Sequence, residues 1–124
     1  MLFRSSNFPG SIASTPEDLS RWAEALWGYN QTGSEILSDE SLGEMLRSNN
    51  NYGLGTQFFN IDIDIGTGLD IDVKFVGHTG SEIIYSGLLL HNRDTGGTIA
   101  ITINNDETST ILLEVASDLA GSIW

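Results

Sequence analysis

The chain has 124 residues, the size of one domain, and its 40% hydrophobic and 9% aromatic content supplies enough apolar material to offset the chain entropy lost on folding, which argues against disorder. It carries 17 Asp and Glu against 5 Lys and Arg, a formal net charge of -12; such a surface repels phosphate backbones and anionic headgroups, so nucleic acid and acidic lipid are set aside as partners. No cysteine is present, which excludes disulfides and thiolate-held zinc or iron–sulfur centres, and the longest apolar runs, such as Leu88 to Leu90, fall far short of the ~20 residues that span a bilayer.

A single domain over residues 1–124 is expected. Residues 1–13 read as irregular, with Pro9-Gly10 as a turn signal, and the opening residues lack the charged and apolar regions of a signal peptide. The first helix follows. Thr15 suits its N-cap, Pro16 its first turn, and Glu17 and Asp18 place negative charge at the positive end of the helix dipole. Leu19, Trp22, Ala23, Leu26 and Trp27 then fall on one apolar face, which makes both tryptophans expected core residues. Gly28 and Gly33 bracket a loop, and Ser38, Asp39 and Glu40 open a short second helix with Leu42, Met45 and Leu46 facing inward.

Beyond Ser48 to Asn51 the apolar period changes to two. Tyr52 to Phe59 is one expected strand. Ile61 to Ile65 and Leu69 to Val73 alternate apolar and acidic residues on either side of Gly66-Thr67-Gly68, the pattern of a hairpin whose glycines are free to take positive φ. Its acidic face carries Asp62, Asp64, Asp70 and Asp72. Two readings stand for them: a solvated face, or a weak calcium site, which needs at least six oxygen ligands that alternating strand residues rarely bring together. Ile83 to Leu90 and Thr98 to Ile103 read as further strands joined by the turn-forming run Asn92 to Gly97. Ser109 to Trp124 has Leu112, Leu113, Val115, Ala116, Leu119, Ala120 and Ile123 at near-helical spacing and is expected to pack on the sheet. The predicted fold class is α+β: an antiparallel meander with helices before it and one helix after it.

The segment Gly77-His78-Thr79-Gly80-Ser81 stands between two strands and, taken alone, reads as a polar strand end. Its flanks add to it. Gly10 to Trp22 looks like the pattern Gly-hydrophobic-x-Ser-Thr-x-x-Asp-Leu-x-x-aromatic with one extra residue, Ser11, after the glycine; Ile36-Leu37-Ser38 with Glu44-Met45-Leu46 and then Tyr52-Gly53-Leu54-Gly55 follow in order; His78-Thr79-Gly80 occupies the place of a Lys-Thr-Gly or His-x-Gly motif, and Tyr85 to Leu90 the strand after it. In this order, from about residue 10 to residue 120, the chain resembles the C-terminal part of the serine β-lactamase and penicillin-binding protein superfamily, which includes D-alanyl-D-alanine carboxypeptidases and esterases.

The resemblance implies a partial β-lactamase/transpeptidase-like fold in which the edge strand carrying His78, Thr79, Gly80 and Ser81 forms one wall of the cleft. His78 and Thr79 would help bind the substrate carboxylate, and Gly80 would let the strand approach the substrate closely. Ser81 would lend its backbone N–H to the oxyanion hole, a kind of donor whose loss costs about 3 to 4 kcal/mol in studied hydrolases. The implied ligand is a β-lactam, a D-alanyl peptide or an ester, no cofactor or metal is implied, and the implied compartment is periplasmic or extracytoplasmic.

The nucleophile motif Ser-x-x-Lys is absent, since the sole lysine, Lys74, has Ile71 three residues before it, and no Tyr-x-Asn is present. The family's Gly-x-Pro-Gly-Tyr after the third motif is replaced by Glu82-Ile83-Ile84. A Gly-x-Ser-x-Gly elbow and a His-Glu-x-x-His zinc motif are also missing, and His91 reads as the cap of a surface turn. The expectation is therefore a C-terminal fragment of a serine hydrolase, inactive alone. The alternative is a non-catalytic binding or oligomerising module, a homo-oligomer formed through surface left apolar.

Overall fold

The computed structural model describes residues 13–82, 85–104 and 109–123. The Pro9-Gly10 turn, the first residues of the Gly10 to Trp22 stretch, and Ile83 and Ile84 lie outside the described residues. Helix α1 spans Pro16–Trp27, and the Thr15 side chain caps it by accepting from the Asp18 N–H at 3.1 Å. Gly28 ends it with φ of 57°, where a Cβ would fall on the Gly33 carbonyl oxygen, so the reversal of the chain there requires glycine. Helix α2 spans Asp39–Met45, with Ser38 accepting from the Ser41 N–H at 3.2 Å.

Four strands follow: β1 (Gln57–Asp64), β2 (Asp70–Glu82), β3 (Tyr85–His91) and β4 (Thr98–Ile103), in the order β1-β2-β3-β4 with every neighbouring pair antiparallel. Helix α3, Ser109–Ile123, closes the fold. This is the α+β meander expected from the sequence. The first strand is shorter than expected: residues 52–56 form a loop, and pairing with β2 begins at Gln57.

Strand alternation gives the sheet two apolar faces. On one, Ile61, Ile63, Val73, Phe75, Leu88, Leu90 and Ile99 pack against Leu112, Ala116 and Ala120 of α3. On the other, Val76 and Leu89 pack against Ala23, Trp27 and Leu42 of α1 and α2. Each large side chain buried in this way contributes about 1.5 to 3 kcal/mol. The buried Trp27 indole N–H donates to Thr56 Oγ1 at 3.3 Å, so its polar atom is satisfied.

Three parts of the expected core face water. Trp22 is 51% exposed, because the buried strip of α1 narrows to Ala23 and Trp27 and leaves positions a third of a turn away in solvent. On α3, Val115 and Leu119 are exposed and align with exposed Ile111 at a spacing of four residues. The far end of the hairpin also projects beyond the helix layers, leaving Leu69 and Ile71 exposed.

Candidate functional site

Strand β2 is an interior strand of the sheet, not the edge strand expected, yet its second half lies at a margin. The β1 to β2 ladder starts at Gln57 opposite Gly77, whereas the β2 to β3 ladder continues to Glu82 opposite Tyr85. Among the described residues, His78, Thr79, Gly80 and Ser81 therefore have a strand on one side only. The backbone direction follows from two bonds: the Thr79 N–H points toward the β1 side, where it donates to Gln57 Oε1 at 2.8 Å, and the Phe58 N–H points away from β2 to the Asn51 carbonyl at 3.0 Å. Strand polarity alternates every residue, so the Ser81 N–H projects to the same side as that of Thr79, past the end of β1.

The loop before β1 furnishes the rest of the site. Asn50 and Asn51 take left-handed φ of 52° and 61°, a conformation that Asn tolerates better than most residues, and Asn49 pairs with Tyr52 across the turn. Gly53 passes so close to α2 that a Cβ would strike the Met45 carbonyl, and the Leu54 N–H donates to that oxygen at 3.0 Å. Anchored at both ends, the turn presents Tyr52, whose hydroxyl lies 3.0 Å from His78 Nε2 with the rings edge to face at 5.8 Å between centroids. His78 Nδ1 is bonded to the Thr79 carbonyl oxygen, which can only accept. In the neutral imidazole the proton therefore sits on Nδ1, and Nε2 accepts from Tyr52.

Thr79 directs both of its donors at one atom: its Oγ1 is 3.1 Å from Gln57 Oε1, which the backbone N–H also reaches. Among the described residues nothing lies within 4 Å of where a Gly80 Cβ would stand, so none of them demands a glycine there. Gly77 is the reverse case, since a Cβ would fall on the Leu89 carbonyl oxygen. Together these residues form an exposed strand segment with outward amide donors, a hydroxyl and an imidazole. Such a set can bind an oxygen anion or polarise a carbonyl; among the described residues no serine stands three positions before Lys74, the only lysine.

His91 does not cap a surface turn. It is fully buried, its Nε2–H donates to the Gly28 carbonyl at 2.8 Å, its Nδ1 accepts from Thr98 Oγ1 at 2.8 Å, and its ring stacks on Trp27 at 6.3 Å. Burial lowers its pKa below the ordinary histidine value, opposed by the bond to Gly28 and by Glu24. The four hairpin aspartates are exposed and face one another as Asp62 with Asp72 and Asp64 with Asp70; among the described residues no group of three acidic, His or Cys side chains is arranged to hold a metal ion. Among these residues, too, no helix is long and apolar enough to cross a membrane.

Sequence reasoning singled out His78, Thr79, Gly80 and Ser81 but missed Tyr52 and Gln57, whose side chains bond to His78 and to Thr79. The signal for Gln57 was available: a hairpin centred on Thr67 pairs residues whose numbers sum to 134, which sets Gln57 against Gly77. Compared with protein-family models, curated proteins and solved structures, the chain gives no significant match.

Proposed function

We propose that this chain supplies the third-motif wall of a serine hydrolase of the β-lactamase and penicillin-binding type, acting on a β-lactam, a D-alanyl peptide or a related ester, with the attacking serine contributed by other polypeptide. The observation that carries the reading is the stretch of β2 from His78 to Ser81, which among the described residues has a strand on one side only and directs the Ser81 N–H to the other, past the end of β1. An oxyanion donor must be a preorganised backbone N–H aimed outward from a rigid element, and a strand held by β3 along its other edge meets that need. Gly80 adds to it, because packing among the described residues gives no reason for a glycine while close approach of a substrate would.

The chain alone should then neither turn over nor become acylated. Purified protein incubated with a chromogenic cephalosporin should give no burst, and incubation with benzylpenicillin should leave its intact mass unchanged; a stoichiometric adduct would place the nucleophile within this sequence and overturn the division of labour.

A second reading, a non-catalytic module that associates through an apolar face, draws on a separate observation. Ile111, Val115 and Leu119 form an exposed stripe along α3 at 41%, 42% and 45% exposure. Under that reading sedimentation shows a dimer or larger that Val115→Asp reduces to a monomer, whereas a wild-type monomer at high concentration removes it.

A further inference from the structure

The bonds made by Gln57 have a chemical meaning of their own. Its side-chain oxygen accepts simultaneously from the Thr79 N–H at 2.8 Å and from the Thr79 hydroxyl at 3.1 Å. A backbone N–H can only donate, so the atom facing it is the carbonyl oxygen of the amide and the orientation of Gln57 is determined. Two convergent donors on one oxygen is the arrangement that binds a carboxylate or another oxyanion, and here a neutral oxygen of the protein itself fills it. Gln57 is also the first residue of β1, at the point where backbone pairing with β2 stops. Its side chain thus substitutes for the backbone acceptor that a longer β1 would have offered to Thr79. Unlike a backbone group it sits on rotatable bonds, is half-buried, and can swing away without disturbing the ladder.

We infer that Gln57 is a built-in stopper of a carboxylate subsite formed by the Thr79 N–H and hydroxyl, which a ligand carboxylate must displace before it binds. The inference rests on the functional reading above for the identity of the physiological ligand, but the subsite itself rests on the two Thr79 bonds. The ligand favoured is an anionic carboxylate, because its charge strengthens both hydrogen bonds beyond what the neutral amide oxygen achieves. A closed stopper lowers apparent affinity by the fraction of molecules in which the donors are free. One or two ordinary hydrogen bonds, each of about 1 kcal/mol net, make that penalty roughly tenfold.

The test is an amide chemical-shift titration of the full chain, uniformly labelled with nitrogen-15, with acetate and separately with N-acetyl-D-alanyl-D-alanine. It compares the wild type with Gln57→Ala and Gln57→Glu. In Gln57→Ala the Thr79 amide should respond to acetate with about tenfold tighter apparent binding than in the wild type. In Gln57→Glu a tethered carboxylate occupies the donors permanently, so acetate should leave the Thr79 amide unmoved; this variant retains the anchoring bonds and guards against loss of fold in the alanine variant. Equal acetate affinity in the wild type and Gln57→Ala overturns the stopper, as does the lack of any Thr79 response in both. If acetate binds tighter to Gln57→Ala while the dipeptide gains nothing over acetate, the stopper stands and the hydrolase reading loses its ligand. If the dipeptide binds both proteins equally well, the hydrolase reading keeps its ligand and the stopper falls.

Discussion

The Tyr52 hydroxyl donates to His78 Nε2 across 3.0 Å, joining the turn before β1 to the open segment of β2. With Nδ1 committed to the Thr79 carbonyl, this bond leaves the imidazole one tautomer and one ring orientation. Tyr52 therefore acts on the site through His78, as a positioning residue.

Tyr52→Phe removes that donor and little else, because both side chains are exposed. Stability should change by less than about 1 kcal/mol. The effect belongs on His78: long-range proton to nitrogen-15 correlations should show a single Nδ1–H tautomer in the wild type and a tautomer mixture in Tyr52→Phe. An unchanged pattern would mean that the Thr79 carbonyl alone orients the ring.

The two glycines of the segment should respond in opposite ways. Gly77→Ala drives a methyl group into the Leu89 carbonyl, backbone that cannot yield without breaking the β2 to β3 ladder, and should cost at least about 2 kcal/mol in urea unfolding. Gly80→Ala meets none of the described residues and has no positive φ to lose, so the fold should be unchanged or more stable by up to about 1 kcal/mol as the unfolded chain loses freedom. Comparable destabilisation by both would show that Gly80 serves packing and would remove one support of the hydrolase reading.

His91 sets a pH dependence with a definite sign. Its folded pKa lies below the unfolded value of about 6.5 because burial disfavours the imidazolium, so below that pH the unfolded chain binds a proton that the folded chain resists. Its contribution is complete above about pH 6.5 and is lost as pH falls through the folded pKa. Urea unfolding at pH 7.5 and pH 5 should show a smaller loss of stability on acidification in His91→Gln than in the wild type, the carboxylates being common to both. Equal losses would mean that His91 takes up its proton as readily folded as unfolded.

How much of this was legible in the sequence depended on the range of the interaction. Helix α1 announced itself because its cap, its proline and its apolar spacing are all local, and the β1 to β2 hairpin did so because Gly66 and Gly68, at φ of 78° and 76°, mark its turn. Trp22 was misread for a geometric reason. A helix face can be apolar over a wider arc than its neighbours cover, and the width of the cover is set by the sheet. Val115 and Leu119 repeat the point on α3. His91 was misread because its acceptor, Gly28, lies 63 residues away along the chain, and nothing local distinguishes a buried bridging imidazole from a turn cap. The site itself was half legible. His78 to Ser81 stood out as a pattern, whereas the open margin beside them depends on where β1 begins, and the alternation from Tyr52 to Phe59 gave no warning that pairing would wait until Gln57.

The most direct test is hydrogen exchange at single amides along β2. If β1 ends where Gln57 meets Gly77, the Gly77 and Phe75 amides should be protected by the ladder, Thr79 should be intermediate through its bond to Gln57, and Ser81 should exchange at close to the rate of an unstructured amide. Protection of Ser81 comparable to that of Phe75 would mean that a partner already occupies the side on which a substrate oxyanion is proposed to sit.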